Sequence, residues 1–433
     1  MKPTTLVRLG LFQLTAGGLS VLFLGVLNRV MRIELGLPLF TVSVLVGGGH
    51  YLGALVAIPF GHYSDRHTLI GYRRSAYILL GAMTVAVILA FSPWIVSWLA
   101  QDPSIMRTTI TFLFFLLEGV ATYVAGTAYL SLITDRTDES ERGQATGLVW
   151  TLLMVGIIAT GIISSIALST YSFNRFLLIF QVGGVIAIAL AIFALWRQEP
   201  RFAGIDDTPT GSLRESLKMM VANHQARWFG AFLFLSMFSY FMQDVLLEPF
   251  GGEVFGLSAA ETTRFNAYMG LGVVTGMLGG GLRLIPSRGK RWVTAFGIVL
   301  MIFAFTALAG SALLGFSSAL PVVILFLGLG AGFFTVGGVA LMMDMTASEY
   351  TGLFVGAWTL IQALARGPTA IVGGALYSAL IALGGNPAQA YAGVFIIEAL
   401  GLTLGLIFLR QVTVERFRGD VESFGSLAVE VIQ

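Results

Sequence analysis

The sequence predicts an all-α membrane protein of twelve transmembrane helices, arranged as two six-helix halves with both termini cytoplasmic. Three observations carry that prediction. The 433-residue chain is 56% hydrophobic and only 11% charged, with a mean hydropathy of +0.85. Its apolar runs are long and continuous. Its basic residues crowd into alternate polar segments.

Water-soluble chains carry roughly a quarter charged residues, so lipid has to be the solvent for most of this one. Hydrocarbon cannot satisfy backbone N–H and C=O groups, which leaves helices or a closed barrel as the spanning structures. A barrel would show alternating segments of about ten residues. The runs here reach the roughly 20 residues that a helix needs, and they fall at about 9–30, 40–62, 75–98, 108–133, 146–168, 174–196, 228–250, 263–282, 292–314, 321–345, 352–380 and 390–410. The first follows Lys2 and Arg8. It is too long for a signal-peptide core and no small-residue cleavage pattern follows it, so it reads as the first span.

Orientation follows from the charges. With the N-terminus inside, the cytoplasmic segments hold nearly all of the 25 basic residues. Only Arg29, Arg32, Arg107, Arg175 and Arg264 fall outside, with Arg366 inside a span. That asymmetry satisfies the positive-inside rule. The net charge of +2 therefore reports topology rather than a nucleic-acid partner, and none is expected. There are no cysteines, which excludes disulfide and thiol chemistry.

The organisation is an N-terminal half over 1–197, a cytoplasmic linker over 198–227, a C-terminal half over 228–411 and a cytoplasmic tail over 412–433. The linker contains SLRESLKMMVANH, an amphipathic piece suited to the membrane interface. The halves echo each other. LITDRTDESERGQATGLVW follows helix 4 and LMMDMTASEYTGLFVGAW follows helix 10. Each has an acid (Asp135, Asp344), a Thr two residues on (Thr137, Thr346), a glycine-rich helix start and a Trp. Six plus six helices with matching loops is the internal repeat of major facilitator transporters.

Between helices 2 and 3 the chain reads GHYSDRHTLIGYRR, with three arginines and two of the four histidines. Gly61, Asp65, Arg66, Gly71, Arg73 and Arg74 resemble the loop signature of the major facilitator superfamily, which latches the two halves on the cytoplasmic side. The usual spacer between Asp-Arg and Gly is one residue, whereas here it is HTLI. In this longer form, Phe60, Gly61, His62, Ser64, Asp65, Gly71, Arg73, Arg74, Tyr77 and Ile78 resemble the bacteriochlorophyll delivery family, with Ala76 in place of its usual proline. The stretch Leu27-Asn28-Arg29-Val30-Met31 and the segment from Gly352 to Trp358 are similar to that family too. The resemblance spans essentially the whole chain.

It implies an assembly factor for light-harvesting or photosystem complexes that handles chlorophyll or bacteriochlorophyll in a photosynthetic membrane, bacterial inner or thylakoid. The implied partners are antenna or photosystem polypeptides, pigment-synthesis enzymes and membrane lipids. Composition and repeats alone reach only a twelve-helix transporter-type protein. They leave open a proton-coupled carrier of a small solute, or a non-transporting scaffold with the same fold.

Ionisable groups at membrane depth are costly and so become candidates for function. Glu118, Arg366 and His50 all fall near the middle of their spans. In the facilitator topology helices 2 and 11 adjoin, which makes His50 and Arg366 prospective neighbours, with a Glu118–Arg366 ion pair as another arrangement. His50 is the candidate axial ligand for chlorophyll magnesium. The glycines of VGGGHYLGAL offer room for a flat macrocycle or, equally, close helix packing. Gln362, Gln181 and Asn266 are amide alternatives that more commonly bond between helices. Asp244, Glu248 and Glu398 are further acids able to carry a coupling proton. The runs GVVTGMLGGG and GLGAGFFTVGG read as tight packing, not as a nucleotide loop, because no strand precedes them. No metal cluster, nucleophilic triad or Walker lysine is present, so neither enzyme activity nor a nucleotide cofactor is expected.

Overall fold

The computed structural model describes residues 3–56, 60, 67–72, 74–136, 142–199, 223–345 and 351–417. The chain forms α1 (Thr5–Glu34), α2 (Leu39–Val56), α3 (Ser75–Gln101), α4 (Ile105–Arg136), α5 (Arg142–Ala167) and α6 (Phe173–Leu195) in its first half. The second half holds α7 (His224–Val245 continuing as Leu247–Phe255), α8 (Ala259–Arg288), α9 (Lys290–Leu314), α10 (Leu320–Asp344), α11 (Thr351–Ala382) and α12 (Pro387–Gln411). The twelve expected spans are present, mostly a few residues longer than the apolar runs suggest. Two of the helices begin at side-chain capping boxes. Ser258 and Glu261 form a capping box at the start of α8, and Asn386 and Gln389 form another ahead of Pro387 in α12.

Close backbone approach is what glycine contributes to these seams. A Cβ on Gly156 of α5 would lie 1.9 Å from the Leu14 carbonyl oxygen of α1. The two glycine-rich runs face each other across α8 and α10. A Cβ on Gly272 would lie 2.2 Å from the Leu325 oxygen, and one on Gly332 would lie 2.3 Å from that of Val273. Each half has its own apolar core, centred on Phe23, Phe115, Phe176 and Phe180 in the first and on Phe229, Phe250, Phe305 and Phe395 in the second. Leu113, Val185, Phe303 and Leu314 point outward, as a lipid-facing perimeter requires.

The halves meet along α2–α11 and α5–α8, with a further contact between α1 and α7. Arg32 of α1 pairs with Glu253 of α7. Glu253 also accepts from Tyr377 of α11 at 2.7 Å and Tyr391 of α12 at 3.0 Å. Arg29 donates to the Leu257 carbonyl at 2.9 Å, and Arg264 donates to Ser165 at 2.8 Å. These bonds lie at the end that the charges assign to the outside, and they seal that end.

Of the expected latch, Gly61, Asp65, Arg66 and Arg73 lie outside the described residues, as do 200–222 of the linker and 418–433 of the tail. Gly71 and Arg74 are described. Leu69 and Tyr72 exchange backbone hydrogen bonds of 2.9 and 3.0 Å around Ile70 (φ +54°) and Gly71 (φ +76°). Two successive positive φ values define the type I′ turn, and the glycine takes the second without strain. The longer HTLI spacer is thus what lets this loop fold back as a tight hairpin. Beyond it, the backbone amides of Arg74 and Ser75 donate to the Glu199 carboxylate at 2.6–3.1 Å, so the acid that follows α6 caps α3.

Candidate functional site

α7 breaks where it passes the middle of the molecule. Met242–Val245 tightens to 3₁₀ geometry and the helix turns by 47°. The carbonyl of Val245 accepts from Asn28 Nδ2 of α1 at 2.8 Å, supplying the bond that the broken helix lacks. The break presents Asp244 to the other half. Its Oδ2 accepts from Tyr51 of α2 and its Oδ1 from the neighbouring Gln243, both at 2.7 Å.

One residue from Tyr51, His50 reaches the other way. Its Nδ1 lies 2.7 Å from Glu118 Oε2 of α4, and Thr122, one turn further along α4, donates to Oε1 at 2.9 Å. Glu118 is only 3% exposed. The imidazole packs near Phe23, Tyr51 and Tyr123, at ring separations of 5.7, 5.0 and 5.8 Å. A carboxylate facing Nδ1 accepts a hydrogen bond there, which selects the Nδ1–H tautomer. Among the described residues no hydrogen bond engages Nε2. The glycines around His50 are taken up by packing. A Cβ on Gly47 would lie 1.8 Å from Ala370 Cβ, and one on Gly53 would lie 2.2 Å from the Gly119 carbonyl carbon.

Arg366 enters from α11. Its guanidinium lies 3.7 Å from the centre of the Phe241 ring and 6.0 Å from that of Tyr51. Its charge acts on Asp244, Tyr51, Tyr123 and Tyr240. It forms no ion pair with a described residue; Glu118 pairs with His50 instead. Gln362, one turn nearer the cytoplasm on α11, donates weakly to Met342 Sδ of α10 at 3.7 Å. His50, Glu118 and Arg366 therefore converge around Tyr51 and Tyr123, while Gln362 turns toward α10.

Residues that the spacing did not single out complete the site. Tyr51, Thr122, Tyr123 and Phe241 read as ordinary apolar-span residues in a chain with 12% aromatics. The one available signal was Asp244 followed four residues later by Glu248, two acids inside one apolar run. Glu248 is buried and accepts from Asn266 of α8 at 2.5 Å, close against Gly25 of α1. Glu398 of α12 is fully buried, and neither of its oxygens has a partner among the described residues. Among those residues no group of three metal-ligating side chains occurs.

Comparison with known proteins adds to this geometry. A family model described as PUCC protein matches residues 26–417. A Rhodobacter capsulatus protein described as an uncharacterized protein in the puhA-bchM intergenic region is 32% identical, over 93% of this chain and 87% of its own. Protein PucC of the same organism is 29% identical over 93% and 91%. The bacteriochlorophyll synthase 44.5 kDa chain, also from Rhodobacter capsulatus, is 33% identical over 84% and 85%. Among solved structures, a bacterial homologue of the lysosomal transporter Spinster, inward-facing and unoccupied, superposes with a TM-score of 0.69 at 16% identity, covering 96% of this chain and 97% of its own. The nucleoside transporter NupG superposes with a TM-score of 0.71 at 14% identity, over 94% and 99%. These two share the fold, that of the major facilitator transporters.

Proposed function

The chain belongs to the PUCC protein family, and from that premise we propose that it handles (bacterio)chlorophyll and delivers it to antenna polypeptides in a photosynthetic membrane. Membership ties it to the assembly of photosynthetic complexes or the handling of their pigments, on a facilitator-type fold. The observation that carries the finer reading is the family match over 26–417, together with relatives named for PucC and for bacteriochlorophyll synthesis over most of their length.

The central residues suit such a cargo. Magnesium in the pigment is a Lewis acid that takes an axial nitrogen ligand. His50 would provide it, because Glu118 engages Nδ1 and leaves the Nε2 lone pair uncommitted. A carboxylate behind an imidazole fixes its tautomer and orientation and raises its basicity. Thr122 holds Glu118 in place, and Phe23, Tyr51 and Tyr123 pack around the ring. Antenna polypeptides, pigment-synthesis enzymes and surrounding lipid are the partners this role requires.

Two measurements test it. Protein purified in mild detergent should carry tetrapyrrole absorbance that is lost in His50→Ala. A strain lacking the gene should lose an antenna complex, and unchanged antenna spectra in that strain would sink the proposal. Proton-coupled solute transport is the second reading, favoured by the buried carboxylate of Glu398, which has no partner among the described residues, and by the buried acids Glu118 and Asp244. It predicts pH-gradient-driven uptake into proteoliposomes that Glu118→Gln abolishes.

A further inference from the structure

Among the described residues, Arg366 has no hydrogen-bond acceptor for its donors. Its Nε is buried, its two terminal nitrogens keep accessible surface, and none of the three has a partner among the described residues. The acid on which its charge acts already has a hydrogen bond at each oxygen. Asp244 has one oxygen on Tyr51 and the other on Gln243. A guanidinium at membrane depth with an empty planar fork is costly unless something fills it. The fork matches the two coplanar oxygens of a carboxylate.

The surroundings specify the body that bears that carboxylate. Phe241 stacks against Arg366 and Tyr51 borders it, while Tyr51 and Tyr123 border His50, so aromatic rings run between the two. A flat, largely apolar ring with an acid on its rim fits that lining. A central metal would then meet His50 while the rim acid meets Arg366.

Resting on the pigment-handling reading, we infer that Arg366 binds the free propionate of a tetrapyrrole acid. The more tightly held cargo is then the unesterified pigment precursor, and the finished pigment with its long-chain ester is held more weakly. The reaction class that consumes this cargo is prenyl esterification of that propionate. An esterified carboxyl offers no anionic pair of oxygens to the fork, so the difference between the two cargoes is a charge-assisted bidentate contact.

The test is a fluorescence-quenching titration of the purified full-length protein in zwitterionic nanodiscs, using chlorophyllide and its methyl ester. The wild type should bind the acid about ten- to a hundredfold more tightly, the worth of one such contact. Arg366→Gln should remove the preference while still binding the ester, and Arg366→Lys should keep part of it. His50→Ala should weaken both ligands alike and leave their ratio unchanged. Equal binding of acid and ester by the wild type overturns the inference and leaves the pigment-handling reading standing. No binding of either ligand overturns both. If phosphatidylglycerol in the nanodisc displaces chlorophyllide from the wild type but not from Arg366→Gln, the fork is a lipid-phosphate site and the inference fails.

Discussion

The hydroxyl of Tyr51 donates to Asp244 at 2.7 Å, tying α2 of the first half to the break in α7 of the second. Tyr51 is buried and sits beside His50 in sequence and beside Arg366 in space. One side chain thus touches the imidazole, the acid and the guanidinium of the central site, and it joins the halves at the point where they would rock against each other.

Tyr51→Phe keeps the ring and removes the donor. A buried carboxylate loses one of its hydrogen bonds, at a cost of about 1.5–3 kcal/mol. The expected result is a lower midpoint of thermal unfolding in detergent. An unchanged midpoint would mean that the bond contributes nothing to the union of the halves.

In the proposed pigment-handling role, Glu118 would act on the pigment only through His50. Glu118→Ala should weaken binding of a magnesium tetrapyrrole about 10–100-fold, as loss of a carboxylate behind a metal-bound imidazole does. The same titration with a metal-free tetrapyrrole should show no such loss. A matching loss for both ligands would assign Glu118 to structure alone.

Glu253 gathers donors from α1, α11 and α12, so its removal should loosen the outer seal. The chain has no native cysteine, which allows a clean probe. Ser43 is fully buried on α2, packed against Gly374 of α11. A membrane-impermeant maleimide added from outside should label Ser43→Cys slowly. In the background of Glu253→Gln it should label about tenfold faster, equivalent to a shift of roughly 1.4 kcal/mol toward the open state. Equal rates would remove Glu253 from the seal.

Gly119 and Gly126 lie two turns apart on α4 and should respond in opposite ways. A Cβ on Gly119 would lie 2.2 Å from the His50 carbonyl oxygen, whereas one on Gly126 would meet nothing within 4 Å. Gly119→Ala should lower stability by about 1–3 kcal/mol or more and displace His50. Gly126→Ala should be neutral or stabilise by up to about 1 kcal/mol, because alanine favours helix. Thermal unfolding of the two variants in parallel reads the contrast.

The spans were legible because hydrocarbon imposes a length and forbids charge, and both constraints show in a single sequence. The glycine seam between α8 and α10 was legible for the same reason, since repeated small residues in an apolar run have little other use. The pairing at the centre was not. An apolar span carries no polar face to fix its rotation, so spacing could not say whether Glu118 turns to Arg366 or to His50. The break in α7 had a local signal in Pro249, which has no N–H for the Val245 carbonyl four residues back, but nothing local could name Asn28 as the donor that replaces it. The outer clasp lay partly in view, as Arg29 belongs to a stretch matched to the family. Its other half, Glu253 with Tyr377 and Tyr391, is scattered over a further 140 residues or so of chain, beyond the reach of any local pattern.

The bond from Asn28 to the Val245 carbonyl joins residues 217 positions apart, and it has a bearing on how the molecule is made. Synthesis delivers the first six helices to the bilayer before α7 emerges. The seventh then enters with a carbonyl that its own helix cannot satisfy and that lipid cannot satisfy either. Only a side chain already in the membrane can answer it. The order of translation is therefore also an order of dependence: the second half completes its first helix on a template that the first half provides. Fragments of the second half inserted alone should be the ones that quality-control proteases remove.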